Sequence, residues 1–517
     1  MAKALKNRAS KQGYISPAQG IFPGFESPFS RHLNPSNRWV VLSNKIPWDE
    51  LVNVYNKQMR NAQTGADGIN PRVMIGAVII KHMCDLSDRE TLQQIQENMY
   101  MQYFIGYKSF SDEEPFDASL FVELRKRLGV EQINAINEKI LQLSQQKASP
   151  TRSKDDNSPP APPTNAVDPD VPQAPVNEEK VVTHQGKLIV DATACPQDIS
   201  YPTDLNLLND AREKSEELID FLYAPGIHSN KPRTYREIAR KMYLKVAQKK
   251  VKTKKEIRRS IKQQLGFVNR NIKSIHTLLS HYEHIPFDAG QYKYFLVIQT
   301  LYQQQRGMYK EKSHSIDHRI VSIHQPHVRP IVRGKTNANV EFGAKIQVSM
   351  VNGYAFLEEL SWEAFNEGTH LLQTIEQYKS RTGYYPQEVL VDKIYCNRTN
   401  RAKLKELGIA LIAKPLGRPR AMSIHIRPGQ RNPIEGKFGQ AKTAYGMNRI
   451  KARLQQTSES WIATIILVLN LVKLTGQVTY LIISSIFTCS AQCPIRVRWY
   501  LSNQNYHQFK IGYFKYA

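Results

Sequence analysis

The 517-residue chain carries 71 Lys plus Arg against 46 Asp plus Glu, a formal charge of +25. Its natural partner is therefore a polyanion, nucleic acid before a membrane surface, and not an acidic small molecule. Five cysteines (Cys84, Cys195, Cys396, Cys489, Cys493) are too few and too scattered for a disulfide framework and fit a reduced cytosol, with Cys489 and Cys493 read as unrelated thiols before a metal site.

The length exceeds one compact unit, since domains run about 100 to 200 residues. No basic start followed by an apolar stretch occurs in the first 30 residues, so no signal peptide is expected. The N-terminal region, 1–146, reads helical. "RVMIGAVIIKHM" (72–83) is a buried helix, and "LSDRETLQQIQENMYMQYFIG" opens on a capping box of Ser87 and Glu90 and stops at Gly106. "ASLFVELRKRLG" is a further helix ending at Gly129. Helices of this kind on a basic chain serve DNA reading or dimerisation, and the pattern fits both. Residues 147–180 hold eight prolines among Ser, Thr, Asn, Asp and Glu, the composition of a disordered linker.

"KLIVDATA" (187–194) is a strand with Asp191 near its end. The chain then turns helical from Leu205 to about residue 285. Between Lys231 and Lys262 it holds fourteen Lys or Arg against two Glu, too one-sided for paired surface salt bridges. Lys249, Lys250, Lys252, Lys254, Lys255, Arg258 and Arg259 are the candidate phosphate contacts. A sheet-like region starts near Arg319, and Asn352-Gly353 between alternating runs marks an antiparallel hairpin. Next come the helix "GTHLLQTIEQYKSRTG", the strand "QEVLVD" ending at Asp392, the helix "RAKLKELG", the strand "ALIAKP" and a helix from "RNPIEGKFGQAKTAYG" (431–446). This order gives an α/β fold, a mixed sheet with helices on its faces. Trp461–Thr488 is apolar but interrupted by Asn470, Lys473, Gly476 and Gln477. It reads as a buried helix and a strand-like piece, not a membrane span.

Clustered carboxylates can hold divalent ions that activate water and stabilise a leaving oxygen at a phosphodiester. Asp191, Asp392 and Glu435 are the candidates. Either Asp has a plainer reading as a strand-end residue bonding the next turn. Glu435 has one as N3 of a capping box, with Asn432 as N-cap and Pro433 at N1. Glu435, Gly439 and Lys442 also fall on one helical stripe, which a cap does not require. There Gly439 permits a close backbone approach and Lys442 can reach a phosphate. Arg449, Lys451 and Arg453 extend this basic character toward a DNA backbone.

These stretches, with "DATACPQDISYPTDLNLLNDAREKSEELID", "QPHVRPIVRGK", "VEFGAKI" and "LSWEAFNEGT", resemble bacterial insertion-sequence transposases of the DDE class over about Val40 to Leu474. Members have a helical N-terminal domain ahead of a ribonuclease H-like catalytic domain. The resemblance implies an acidic triad at Asp191, Asp392 and Glu435 holding Mg²⁺, or Mn²⁺ in its place. It implies DNA as partner, both element ends and target, with at least a dimer assembled on it, in the bacterial cytoplasm at the nucleoid. The family's signature of Tyr, two residues, Arg, three residues, Glu, six residues, Lys falls on Arg431, Glu435 and Lys442, with Pro428 in the tyrosine position. The expected layout is a helical domain at 1–146, a linker at 147–180, a ribonuclease H-like catalytic domain at 181–475 with a basic helical insertion at 205–285, and a tail at 476–517. The expected activity is strand cleavage at element ends followed by transfer of the 3′ hydroxyl into target DNA. A nuclease of the same fold that cuts without joining, and an inactive, domesticated DNA-binding descendant, are the alternatives.

Overall fold

The computed structural model describes residues 29, 33–57, 68–146, 183–332, 340–413, 429 and 431–475. The predicted linker, the tail from 476 with its strand-like piece, and Pro428 lie outside the described residues.

Seven N-terminal helices are described: α1 (Arg38–Lys45), α2 (Trp48–Lys57), α3 (Pro71–Cys84), α4 (Asp88–Glu97), α5 (Met99–Phe104), α6 (Leu120–Arg127) and α7 (Val130–Gln146). Asn70 caps α3 and Pro71 opens it, and the predicted capping box of Ser87 and Glu90 starts α4. The single helix expected from Ser87 to Gly106 is broken at Asn98, whose side chain accepts from Tyr100 N and Met101 N and so begins α5.

β1 (Lys187–Pro196) leads into four helices, α8 (Asp204–Leu222), α9 (Arg236–Ala247), α10 (Lys254–Leu279) and α11 (Ala289–Glu311). The helical layer thus continues well past residue 285, because α11 has its own capping box of Asp288 and Gln291. After it, β2 (Arg329–Val332) is the one strand among the described residues between Arg319 and Val332. Then come β3 (Val340–Val351), β4 (Tyr354–Ser361), α12 (Leu371–Thr382), β5 (Glu388–Leu390), α13 (Arg398–Glu406), β6 (Ala410–Ile412), α14 (Asn432–Ala444) and α15 (Gln455–Thr475). The β3–β4 hairpin turns at Asn352 (φ 52°) and Gly353 (φ 83°), both left-handed as a type I′ turn requires.

Among the described residues the sheet has six strands in the order β2-β3-β1-β5-β6, with β4 also on the outer edge of β3. β1 runs antiparallel to β3 and parallel to β5, and β5 is parallel to β6. A Cβ at Gly343 would stand 2.1 Å from Cys195 O, so glycine is needed for β3 to close on β1.

The main core joins α2 (Trp48), α3 (Ile79) and α6 (Leu124) to the sheet (Leu188, Val190, Val389), α12 (Ile375) and α15 (Ile465, Leu469). The N-terminal helices therefore share a core with the sheet instead of forming a second one. The reason lies in α3, whose residues Val73 to His82 are all buried, leaving that helix no face for solvent. The insertion has its own core of Leu208, Ile219, Val268 and Ile298. On one sheet face, Ile434 of α14 packs on Ile189, Met350 and Leu390.

α15 is long and apolar enough to cross a membrane, but 78% of its most apolar window is buried inside the protein. Asn470 explains the interruption seen in the sequence. Its Oδ1 accepts from Ala355 N (2.7 Å), and its Nδ2 donates to Ala355 O (2.7 Å) and Asn137 Oδ1 (3.0 Å). Asn470→Leu would strand these buried partners, at about 1–3 kcal/mol for each unsatisfied group. A clear fall in the thermal unfolding midpoint is the expected result.

Candidate active site

Parallel pairing of β1 with β5 puts Ile189 opposite Leu390. Two residues further along each chain stand Asp191 and Asp392. Residues two apart on a strand share a face, so Asp191 points to the side where Ile189 meets α14. Asp191 is thus interior to a strand that runs on to Pro196, and not at its end as the sequence suggests. It lies just beyond the last β1–β5 pair, where the partner chain turns away. Asp392 begins the single turn Lys393–Tyr395, accepting from Lys393 N (2.7 Å).

One guanidinium spans both carboxylates. Arg431 Nη2 lies 3.1 Å from Asp191 Oδ2, and Nη1 lies 3.2 Å from Asp392 Oδ1. Burial pushes the Asp191 carboxyl above its ordinary value. Arg431 and the Ala192 N–H pull it down, and Glu367 and Asp392 add to the upward push. The sequence pattern assigns Arg431 to DNA phosphate; in the free protein it is the counter-ion of the acidic pair.

Glu435 sits in the first turn of α14, exposed, with no hydrogen-bond or ion-pair partner among the described residues. The predicted capping box is not formed. Arg431 occupies the N-cap without a side-chain bond and Asn432 starts the helix, which moves Glu435 one position past N3. A Cβ at Gly439 would meet open space, so no backbone approaches it among the described residues. Lys442 is half-buried on the same helix.

The structure brings Asp191 and Asp392 together and leaves Glu435 alongside. Among the described residues, no group of three His, Cys, Asp or Glu is arranged to hold a metal. The pair itself fits a hard divalent ion. Two carboxylates that share one cation, completed by waters and substrate phosphate, are a usual magnesium environment.

Two further residues border the site. Glu367 is ion-paired with Lys345 (3.0 Å). Tyr395 is fully buried, with a hydroxyl that lacks a partner among the described residues. Burial raises its pKa, and Glu367 and Asp191 raise it further. Tyr395 falls three residues after Asp392, a spacing with no local meaning in a strand. Its proximity arises only because the chain turns at once.

The basic insertion places Lys250, Lys254, Lys255 and Arg259 on the surface, with no ion pair or hydrogen bond among the described residues. Other predicted contacts are engaged. Lys249 pairs with Glu256 (2.5 Å) and, with Thr253, holds that carboxyl down to about 2. Lys252 donates to Ala247 O (2.9 Å), and Arg258 lies over the Tyr309 ring (4.1 Å). Arg449 pairs with Asp198 (2.9 Å).

Fold and site together define a mixed α/β protein with a carboxylate pair suited to a divalent ion and a strongly basic surface. Two families match the chain, one described as a transposase domain (DUF772) over residues 27–127 and the other as a transposase DDE domain over residues 389–472. In that order on one chain they indicate an insertion-sequence transposase of the DDE class. The uncharacterized protein ORF8 in the nfe locus of Rhizobium meliloti is 29% identical over 191 residues, 37% of this chain and 77% of that protein. No solved structure matches.

The raised carboxyl of Asp191 fixes the sign of a stability effect. The folded state binds its proton more tightly than the unfolded state, so this group's contribution falls as pH rises through the folded value. Asp191→Asn should therefore raise the unfolding midpoint at neutral pH. The gain should shrink in melts at lower pH, where the wild-type group is itself neutral.

Proposed function

We propose that the chain is a metal-dependent transposase that cuts DNA strands at the ends of an insertion sequence and joins the freed 3′ hydroxyls to target DNA. The observation that carries this reading is the convergence of Asp191 and Asp392, from neighbouring parallel strands, on a single cation beneath the start of α14. The sheet order, with an antiparallel β3–β4 hairpin on one side of β1 and two parallel strands on the other, supports a ribonuclease H-like catalytic domain.

Asp191 and Asp392 would hold the divalent ion. Glu435, exposed in the first turn of α14, would serve as the third ligand. The ion, Mg²⁺ or Mn²⁺, supplies an activated water and charge stabilisation at the departing oxygen. Arg431 would then exchange the carboxylates for a non-bridging phosphate oxygen, and Lys442, on the same helical stripe as Glu435, would hold the next phosphate. In the first step water oxygen bonds to phosphorus, the 3′ oxygen leaves and takes up a proton. In the second, that 3′ hydroxyl loses its proton, attacks a target phosphodiester in line, and displaces the target's own 3′ oxygen. The free cations of α10 and of the loop before it track the DNA backbone, and α1 to α7 serve end recognition or dimerisation. The protein acts as a dimer or larger assembly on nucleoid DNA in the bacterial cytoplasm.

Asp392→Asn should abolish cleavage of element-end DNA while leaving its binding within about twofold of wild type, since it removes an ion ligand and no phosphate contact. Parallel loss of both activities in gel-shift and cleavage assays would contradict the assignment. Changing Lys250, Lys254 and Lys255 to Ala should weaken binding to every duplex alike. The slope of log affinity against log salt should become shallower by up to about 0.9 for each phosphate no longer neutralised, as read from titrations at several salt concentrations.

A further inference from the structure

The insertion carries part of its charge in an ordered row. α10 is 26 residues long and buries Gln264, Val268, Asn271 and Ile275 on one side. On the other side Lys255, Arg259, Lys262, Gly266, Arg270 and Lys273 are all exposed. They recur every three or four residues and so form a single stripe, about 27 Å long at about 1.5 Å per residue. Its five cations have no ion pair or hydrogen bond among the described residues. The one acid of the helix, Glu256, lies off the stripe and is held by Lys249 (2.5 Å) and the Thr253 N–H (3.1 Å).

Two details say what the stripe faces. Gly266 stands at its middle, where a Cβ would meet nothing within 4 Å. No packing among the described residues asks for glycine there, and glycine is the poorest helix former after proline. What it provides is a notch in the row, one side chain deep, where a partner can reach the helix backbone with Lys262 one turn before it and Arg270 one turn after. Arg270 is also preset. Its guanidinium lies over the Tyr235 ring at 4.5 Å, and Arg233, likewise exposed, lies over the same ring at 4.7 Å. Stacking on a ring holds a guanidinium in place without neutralising it. It also occupies the ring, and the stripe itself carries no aromatic residue, so the base-stacking platforms that single strands use are missing. A straight row of like charge without stacking faces suits the evenly charged backbone of a duplex.

We propose that the exposed face of α10 from Lys255 to Lys273 docks a DNA duplex, with one phosphodiester strand crossing the helix at Gly266 between Lys262 and Arg270. The proposal rests on the reading of the chain as a protein that acts on DNA. It extends the contact from the start of α10 along most of the helix and fixes the point of closest approach.

The test uses the full chain, a labelled duplex of mixed sequence, the matching single strand, and titrations at several salt concentrations. K262A/R270A should make the slope of log affinity against log salt for the duplex shallower by up to about 1.8, about 0.9 for each of two phosphates. G266L fills the notch and changes no charge. It should weaken duplex binding by roughly threefold or more, on the order of one phosphate contact. It should melt no lower than wild type, because its side chain enters open space and leucine favours a helix. Wild-type duplex affinity in G266L, or an unchanged slope in K262A/R270A, overturns the proposal. So does an equal loss of single-strand binding in both variants, which would make the stripe a general polyanion surface. Polyglutamate bound by wild type with the same sensitivity to both variants would make it a surface for an acidic protein instead. If wild type binds no duplex, the DNA reading itself fails and takes the proposal with it. If the changes at Lys250, Lys254 and Lys255 weaken duplex binding and neither G266L nor K262A/R270A does, only the proposal fails.

Discussion

Two carboxylates set close together at the edge of a protein repel each other unless a proton or a cation relieves them. The parallel pairing of β1 with β5 brings Asp191 and Asp392 close enough for one guanidinium to reach both. Arg431 meets the constraint by reaching both. It can do so because it stands at the N-cap of α14, and α14 is held there by Ile434 packing on Ile189 and Leu390, each two residues before one of the aspartates. The same strands thus supply the charges and the apolar seat of the helix that neutralises them. The start of a helix adds its own positive end to that neutralisation.

The opposite face of the sheet is fixed by a second cationic device. Lys81 and Arg125, from different N-terminal helices, both pair with Asp88, and both lie over the Trp461 ring, at 4.7 and 5.2 Å. His82 meets the same indole edge-on at 4.9 Å. Burial lowers the pKa of Lys81, and Asp88 opposes the drop. Because Trp461 belongs to α15, which packs under the sheet, the N-terminal helices are anchored to the sheet. Any role of theirs in end recognition or dimerisation must use their outward faces.

Much of this is legible in the sequence. Asn352-Gly353 marks the hairpin, Ser87 and Glu90 mark the start of α4, and the apolar runs before Asp191 and Asp392 mark β1 and β5, because each is a local pattern with a local cause. What the sequence hides is longer in range or finer in register. The cap at α14 differs from its pattern by one position, since Pro433 is acceptable at either of the first two helical positions. α11 is inconspicuous because its glutamines and tyrosines present little contrast between faces. Charge alone points Arg431 at phosphate; its partners come from two strands distant in sequence, and no spacing rule reports that. Glu367 and Tyr395 are invisible for the same reason.

The distribution of charge sets the order in which a polyanion can engage. Much of the excess behind the net charge of +25 sits on the insertion, whose root is closed by Arg319 on Asp204 (2.7 Å) and by its own core, so that it projects without disturbing the sheet. The site itself is locally acidic, so on the proposed function a phosphodiester drawn in by the basic surface would meet two carboxylates. Arg431 carries a single positive charge already shared between Asp191 and Asp392, so it could not also neutralise an incoming phosphate while holding both. Were its guanidinium to turn to phosphate, the carboxylates would need another cation of at least equal charge. On the proposed function, a divalent ion held by Asp191 and Asp392 would take up the charge that Arg431 balances in the free protein.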